Sequence, residues 1–149
     1  MGVIRPDSII NLRNGSDSKS LDSDYYHFPM SNKVEKYDTS QKEVKVWLNE
    51  IVAIFENPNL KFPVFIHCLS GKDRTGIVIS ALLLIMEVDE EIIKEEYMLS
   101  DGDVKEEWID LAIGGMREIE KYFDRVELNK VRENLNKNVT YQNGIKTIV

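Results

Sequence analysis

The sequence predicts an α/β domain in which a central, mostly parallel sheet of about four strands is flanked by helices and followed by a helical C-terminal half. Short β-branched and aromatic runs at residues 8–13, 25–30 and 63–66 predict strands. A helical pattern between the second and third runs predicts a parallel β-α-β crossover. From Ile77 onward the apolar residues recur at helical spacing. The 149 residues, 42% of them hydrophobic, suffice for the core of one domain over residues 1–149.

The helix between the second and third strands has a clear start and end. Ser40-Gln41-Lys42-Glu43 shows the capping-box pattern, in which two side chains satisfy the first backbone N–H groups of a helix. Six apolar residues then fall on one helical face, namely Val44, Trp47, Leu48, Ile51, Val52 and Phe55. Asn57-Pro58-Asn59 ends the helix and returns the chain to the strand at 63–66, which we expect to be central and buried.

Two helices are predicted after the one that begins near Ile77. Asp89 is expected to cap a short helix that ends at Leu99, and residues 100–103 are expected to form a turn. A longer helix should continue to about Asp124, with a buried stripe formed by Trp108, Leu111, Ile119 and Phe123. Gly114-Gly115 either weakens this helix or lets it pass close to a neighbour.

The C-terminal end is predicted to be one more amphipathic helix and a tail. The helix covers residues 127–136 and turns Leu128, Val131 and Leu135 inward. The pattern leaves two possibilities open for the tail at 140–149, an edge strand or a loose segment.

The stretch between the third strand and the following helix carries the chemistry. The strand at 63–66 stops at Cys68 and the helical pattern begins after Thr75, so the backbone must turn sharply, which Gly71 and Gly76 permit. A loop wound into a helix N-terminus points backbone N–H groups at one spot, and the helix dipole adds positive charge there. We therefore expect this loop to bind a phosphate group.

Cys68 and Arg74 fit a nucleophile and an oxyanion clamp. The field at such a loop favours thiolate, and it can bring the pKa of a cysteine from about 8.5 to roughly 3.5–7.5. Arg74 can fold back over the loop, where its planar fork would grip two phosphate oxygens. We expect Thr75 to donate a hydrogen bond to the Cys68 sulfur, and His67 to orient the loop through backbone hydrogen bonds.

Residues 67–76 form a complete motif, His67-Cys68-Leu69-Ser70-Gly71-Lys72-Asp73-Arg74-Thr75-Gly76. It resembles the signature of the protein tyrosine phosphatase superfamily, which has His-Cys, five residues, Arg, then Ser or Thr and Gly. The Gly-Lys-Asp-Arg-Thr-Gly variant is similar to the bacterial and fungal branch related to dual-specificity phosphatases, and the similarity continues through residues 81–84 and 91–100. The resemblance implies a cysteine phosphate-loop fold in which Leu69, Ser70, Gly71, Lys72, Asp73 and Arg74 contact the substrate.

Phosphate ester hydrolysis also needs an acid for the leaving group, whose loss typically costs about 10²–10⁴ in rate. Asp38 is the first candidate, because it precedes a helix about 30 residues before Cys68, similar to the acid of dual-specificity phosphatases. Asp73 is the second, since relatives with Lys-Asp-Arg are suspected to use it. Asp24 is a weaker third.

The predicted function is a cysteine-dependent phosphomonoesterase that hydrolyses phosphotyrosine through a thiophosphate intermediate. Phosphoserine, phosphothreonine and phosphoinositides stay open as substrates. The resemblance implies that a lysine at the position of Lys72 accompanies highly charged substrates such as phosphoinositides, whereas the acidic chain disfavours them. The alternatives are an RNA 5′-triphosphatase and a non-catalytic phosphate-binding module. A binding module would gain little from a reactive thiolate beside an arginine.

Composition restricts the cellular compartment and the binding partners that we expect. The net charge of −7 disfavours stable binding to nucleic acid or to anionic membranes. A single cysteine excludes an internal disulfide, and the sequence has neither an 18-residue apolar run nor a signal-peptide pattern. We therefore expect a cytoplasmic monomer that needs no metal or cofactor and acts on a phosphorylated protein or a small phosphate ester.

Overall fold

A computed structural model of the chain describes residues 6–15, 23–31, 35–68, 73–99, 104–137, 139–142 and 145–148. Its main sheet has three parallel strands, β1 (Ser8–Asn11), β2 (Asp24–His27) and β3 (Val64–His67), in the order β2-β1-β3. The α/β class is confirmed, with three strands in the described part of this sheet rather than about four. The expectation that the third strand is central and buried was wrong, because β1 holds the centre and the Phe65 side chain is 46% exposed.

The predicted crossover between β2 and β3 is present. It contains α1 (Lys42–Ala53) and a short 3-10 turn (Ile54–Glu56). The predicted face is confirmed, since all six of its apolar residues are buried: Val44, Trp47, Leu48, Ile51, Val52 and Phe55. The capping box is not formed, because the N-cap residue is Gln41 rather than Ser40 and no side chain caps the helix. The Ser40 hydroxyl donates to Asp38 Oδ1 at 2.5 Å.

The helix that follows β3 is α2 (Asp73–Ile85), in which every residue from Ile77 to Ile85 except Ile79 is buried. It contacts α1, α3 (Glu90–Met98) and α4 (Glu106–Met116), and its buried residues include Ile77, Val78, Ala81, Leu82 and Ile85. A helix with apolar residues all round is stable only inside a core. The centre of the fold is therefore the helix that begins beside the predicted phosphate loop.

The long helix predicted to reach Asp124 is two helices. α4 ends at Met116, Glu118 leaves the helical conformation with ψ at 75°, and α5 (Ile119–Tyr122) follows. Leu111 was placed on the buried stripe, yet its side chain is 50% exposed. The stripe was wrong because it was extended across the break, whereas the buried residues of α4 itself are Ile109, Ala112, Ile113 and Met116. Phe123 is buried as predicted.

The two glycines of α4 differ in their surroundings. A Cβ on Gly115 would overlap the Thr39 hydroxyl and lie 2.9 Å from the Ser40 backbone nitrogen. A Cβ on Gly114 would meet nothing within 4 Å. Of the two roles predicted for this pair, close approach to a neighbour is therefore confirmed, and Gly115 provides it.

The C-terminal end forms α6 (Leu128–Lys137), β4 (Val139–Gln142) and β5 (Ile145–Ile148). In α6, Val131 and Leu135 are fully buried, as predicted. β4 and β5 pair with each other as an antiparallel hairpin, separate from the main sheet. The turn predicted at 100–103 lies outside the described residues. Within the described ranges, no helix combines the length and the apolar character needed to cross a bilayer.

Candidate active site

The site lies at the edge of the main sheet where its strands end. Because β1, β2 and β3 are parallel, their carboxyl ends meet there, and open α/β sheets bind ligands outside this edge. Cys68 follows β3 directly and is buried. Leu12 follows β1, and its backbone N–H donates to the His67 carbonyl oxygen at 2.8 Å. The predicted nucleophile therefore stands at the sheet edge that suits a ligand.

Arg74 reaches the same edge from the first turn of α2. Its Nη1 donates to the Leu12 carbonyl oxygen at 2.9 Å, and its Nη2 donates to the Met30 carbonyl oxygen at 3.0 Å. These two carbonyls lie just beyond the ends of β1 and β2. Arginine carries five N–H donors in a rigid fork, and two of them are anchored in this way. The sheet thus orients the guanidinium that the sequence assigns to phosphate binding.

Asp38 is held in a way that disfavours proton donation. Its Oδ1 accepts from the Ser40 hydroxyl at 2.5 Å, and its Oδ2 accepts from the Gln41 side-chain amide at 3.3 Å. These hydrogen bonds, the one from Ser40 first, hold the pKa of Asp38 below its usual value. Asp38 is therefore a carboxylate at neutral pH, and its contacts are made to the residues that lead into α1.

Asp73 is the first residue of α2 and contacts a tyrosine. The Tyr37 hydroxyl donates to Asp73 Oδ1 at 2.6 Å, and the Tyr97 hydroxyl oxygen lies 2.5 Å from that of Tyr37. Since the Tyr37 proton points at Asp73, the Tyr97 hydroxyl is the donor to Tyr37. Burial is the largest cause that raises the pKa of each tyrosine, so both hydroxyls stay protonated.

The loop that carries Tyr37 is anchored to the C-terminal helices. The Thr39 hydroxyl donates to the Ala112 carbonyl oxygen at 2.7 Å, and the Tyr122 hydroxyl donates to the Thr39 carbonyl oxygen at 2.7 Å. The Tyr37 ring stacks on Trp108, with 5.5 Å between ring centroids. The position of the Tyr37 hydroxyl is thus fixed by packing on α4 and α5.

Gly76 and Thr75 differ from their predicted roles. Gly76 is the fourth residue of α2 rather than part of the turn, and a Cβ there would lie 2.9 Å from Tyr97 Cε1. Its lack of a side chain lets α2 lie against the Tyr97 ring. The Thr75 hydroxyl is buried and makes no hydrogen bond within the described residues, so the predicted bond to Cys68 is not formed. Thr75 instead lines a cleft of about 160 Å³ between α2 and α3, together with Ile93.

Asp24, the third candidate acid, stands at the opposite end of the sheet. It is the first residue of β2, and its backbone N–H donates to the Asp7 carbonyl oxygen at 2.9 Å. Its side chain is exposed at the amino end of the strands, away from Cys68. Among the residues that the structure describes, no three His, Cys, Asp or Glu side chains converge where they could hold a metal ion.

Comparison with known proteins agrees with this geometry. The sequence profile of the tyrosine phosphatase family matches residues 7–143, which is nearly the whole chain. The chain belongs to this family. The triple specificity protein phosphatase PtpB of Mycobacterium tuberculosis is 26% identical over 91 residues. That match covers 61% of this chain but only 28% of PtpB, so the chain spans less than a third of that relative.

Solved structures share the fold of this chain. The core catalytic domain of the PP-IP phosphatase SIW14 from S. cerevisiae, in complex with citrate, superposes with a TM-score of 0.57 at 20% identity. The superposition covers 82% of this chain and 77% of that one. A second structure of the Siw14 catalytic core gives a TM-score of 0.55 at 19% identity, with the same coverage.

Part of the family signature falls outside the described residues, namely Leu69, Ser70, Gly71 and Lys72. Their contacts with phosphate stay predictions, as does the orienting role of His67, whose ring centroid lies 5.5 Å from that of Phe65. Sequence reasoning missed Tyr37 and Tyr97, because it considered only the carboxylates that could act as the acid and not the side chains that contact them. Tyr97 carried a signal, since it lies four residues after Ile93 on the buried face of its helix.

Proposed function

We propose that this protein is a cysteine-dependent phosphomonoesterase that hydrolyses phosphotyrosine through a thiophosphate intermediate on Cys68. One observation carries the proposal. In a chain of the tyrosine phosphatase family, the Arg74 guanidinium is anchored by two carbonyls at the sheet edge where β3 delivers Cys68. A fixed arginine fork beside a cysteine suits the transfer of a phosphoryl group, which depends on positioning and charge stabilisation.

The proposed reaction has two steps. The Cys68 thiolate attacks phosphorus, so a P–S bond forms while the P–O ester bond breaks, and Asp73 gives its proton to the leaving oxygen. Water then attacks phosphorus, the P–S bond breaks and the sulfur leaves as thiolate, while Asp73 takes a proton from the water. Inorganic phosphate is released and both residues return to their starting state. Arg74 balances the charge on the phosphoryl oxygens in both steps.

We assign the acid to Asp73 rather than to Asp38, which reverses the preference drawn from the sequence. The contacts of Asp38 are made to Ser40 and Gln41, the residues that lead into α1. Asp73 adjoins Arg74 at the start of α2, so both side chains leave from one helical turn.

The proposed substrates are phosphotyrosine residues of proteins, and the proposed setting is a cytoplasmic monomer. Two proteins that this chain resembles suggest a wider range of substrates, since PtpB is a triple specificity phosphatase and SIW14 is a PP-IP phosphatase. The net charge of −7 weighs against highly anionic substrates. A comparison of a phosphotyrosine peptide, a phosphoserine peptide and an inositol lipid would measure the preference.

The test is hydrolysis of 4-nitrophenyl phosphate and of a phosphotyrosine peptide by matched variants. Cys68→Ser should abolish turnover, and wild type should yield a trappable phosphoenzyme under acid quench. Arg74→Lys keeps the charge but loses the fork, so kcat/KM should fall about 10–150-fold. Arg125→Lys, an exposed arginine of the same chain, is the control and should leave kcat/KM unchanged. Wild-type rates from Cys68→Ser would refute the covalent mechanism.

A further inference from the structure

Two tyrosines form a chain of hydrogen bonds that ends on the proposed acid. We propose that Tyr37 is a positioning residue which keeps the proton of Asp73 on Oδ2, and that Tyr97 holds the Tyr37 hydroxyl in the orientation this requires. The inference rests on the function proposed above, because it concerns how the acid of that reaction is prepared. Neither tyrosine needs to touch the substrate for this role.

The order of donors in this chain of hydrogen bonds, with Asp73 as a carboxylate, follows from the single proton that each hydroxyl carries. Tyr37 Oη lies 2.6 Å from Asp73 Oδ1 and 2.5 Å from Tyr97 Oη. A tyrosine hydroxyl has one proton, so Tyr37 cannot donate to both neighbours. Burial keeps both hydroxyls protonated, and a carboxylate can only accept. Tyr97 therefore donates to Tyr37, which donates to Asp73.

This order determines where a proton on Asp73 resides. A neutral carboxyl group has one hydroxyl oxygen and one carbonyl oxygen. We infer that Tyr37 keeps donating to Oδ1 when Asp73 takes up a proton, which leaves Oδ2 as the oxygen that carries the proton. Without Tyr37 the proton could occupy either oxygen and the carboxyl group could rotate. The tyrosine thus selects one protonated form and one orientation of the acid before the substrate binds.

Packing makes the chain rigid enough to act in this way. Tyr37 is clamped between Trp108, on which it stacks, and Tyr97, whose ring it meets edge-on with 6.3 Å between centroids. Gly76 lets α2 approach Tyr97 closely. The loop of Tyr37 is held to α4 by the Thr39 hydroxyl. The three hydroxyl and carboxyl groups are thereby fixed by three separate elements, the 35–41 loop, α2 and α3.

Charged groups lie on each side of this chain of hydrogen bonds. Arg74 is the neighbour of Asp73 on α2, and Glu35 accepts a hydrogen bond from the Tyr37 backbone N–H at 3.1 Å. On α3, Glu96 lines the cleft beside Tyr97. On the α4 side, the Lys105 ammonium group lies 5.5 Å from the Trp108 ring centroid. A pH profile of the reaction therefore has to be compared between variants that leave these groups in place.

The experiment measures kcat/KM for aryl phosphates whose leaving groups range from dinitrophenol to phenol. Tyr37→Phe removes only the hydroxyl, so kcat/KM for phenyl phosphate should fall about tenfold and that for dinitrophenyl phosphate less than about twofold. In an Asp73→Asn background, which is itself selective for good leaving groups, Tyr37→Phe should have no further effect. Tyr26 is a partly buried tyrosine of β2 that takes no part in these hydrogen bonds with Asp73, so Tyr26→Phe is the matched control.

The outcomes separate the inference from the function on which it rests. If wild type hydrolyses no ester, or Cys68→Ser matches it, the proposed function fails. If wild type is active but Tyr37→Phe lowers kcat/KM equally for all leaving groups, or adds its full effect to Asp73→Asn, the positioning role is overturned. Thermal melts report whether each variant folds. Should Tyr37→Phe unfold, Tyr97→Phe takes its place. Its kcat/KM for phenyl phosphate should then fall by about threefold, with a smaller loss for dinitrophenyl phosphate. An equal loss for both substrates refutes the positioning role.

Discussion

Two adjacent glycines of α4 give a sharp test of how the loop of Tyr37 is held. Replacing Gly114 by alanine places a Cβ in open space, since nothing lies within 4 Å of it. Replacing Gly115 drives a Cβ into the Thr39 hydroxyl and to 2.9 Å from the Ser40 backbone nitrogen. Both substitutions raise the helix propensity of the same helix by the same amount. The difference between them therefore isolates the contact with the loop.

The magnitudes follow from the contacts. Alanine is about 1 kcal/mol more favourable than glycine inside a helix, so Gly114→Ala should stabilise by up to that amount. Gly115→Ala gains the same term but incurs about 1–3 kcal/mol of overpacking. It also loses the bond from the Thr39 hydroxyl to the Ala112 carbonyl, which contributes about 1 kcal/mol. A net destabilisation of about 1–3 kcal/mol is expected, and the two variants should differ by about 2–4 kcal/mol.

Urea unfolding at pH 7 measures this difference, and thermal melts should separate the variants by about 2–4 °C for each kcal/mol. A kinetic consequence is also expected, because Thr39 lies two residues after Tyr37. Gly115→Ala should slow hydrolysis of phenyl phosphate more than that of dinitrophenyl phosphate, and Gly114→Ala should not. If both variants shift the urea midpoint equally and in the same direction, the close contact between α4 and the loop is refuted.

Three further predictions concern single contacts. Asp38→Asn should lower stability at pH 7, because the Ser40 hydroxyl and the Gln41 side-chain amide hold the wild-type pKa of Asp38 below its usual value. The difference should shrink as the pH falls through that lowered pKa, which urea melts at a series of pH values from 7 downward would measure. Arg117→Lys, which removes the fork held by both Glu90 oxygens at 2.9 Å, should cost at most about 1 kcal/mol, with a smaller loss in 1 M salt. Gly76→Ala should displace the Tyr97 ring and lower kcat/KM for phenyl phosphate, although alanine raises the helix propensity of α2. An unchanged kcat/KM would contradict the close approach of α2 to Tyr97.

Much of the fold could be predicted because its signals are local. The spacing of apolar residues placed α1 and α6 correctly, and the change from a strand pattern to a helical pattern located the junction between β3 and α2. A helix reveals its buried face within a dozen residues, whatever it packs against. The same locality led us to propose Cys68 and Arg74 as nucleophile and phosphate clamp, since one strand, one loop and one helical turn connect them.

The errors arose where distant residues decide the structure. The order of the strands depends on pairing across the sheet, so the sequence of β3 alone did not show that it lies at an edge with Phe65 half exposed. The break after Met116 has no proline, and the Gly114-Gly115 pair before it was interpreted as a weak point inside one helix, so the stripe that included Leu111 was extended through it. Ser40 matched a capping box, but the helix begins one residue later than the box requires, with Gln41 as its N-cap.

The partners of the proposed acid were hidden for the same reason. Tyr37 lies 36 residues before Asp73, and Tyr97 lies 60 residues after Tyr37. Only folding brings the three side chains together, and an aromatic residue on a buried helical face is expected to serve the core. The hydroxyl groups gave these two tyrosines a second role that hydrophobic periodicity cannot reveal.

The proposed assignment of the acid to Asp73 has a consequence for the movement of the 35–41 loop. With Asp73 as the acid, one strand–loop–helix unit carries the nucleophile, the phosphate clamp and the proton donor. The 35–41 loop then contributes the Tyr37 hydroxyl, and its bonds through Thr39 to α4 and to Tyr122 already hold it in the position that the reaction needs. An acid on a separate loop must be brought to the leaving group by closure of that loop, which often limits turnover. We therefore expect the 35–41 loop to stay in place when phosphate or vanadate binds, so that hydrogen exchange at its backbone amides changes little. Strong protection of this loop on binding would instead favour Asp38 as an acid that closes over the site.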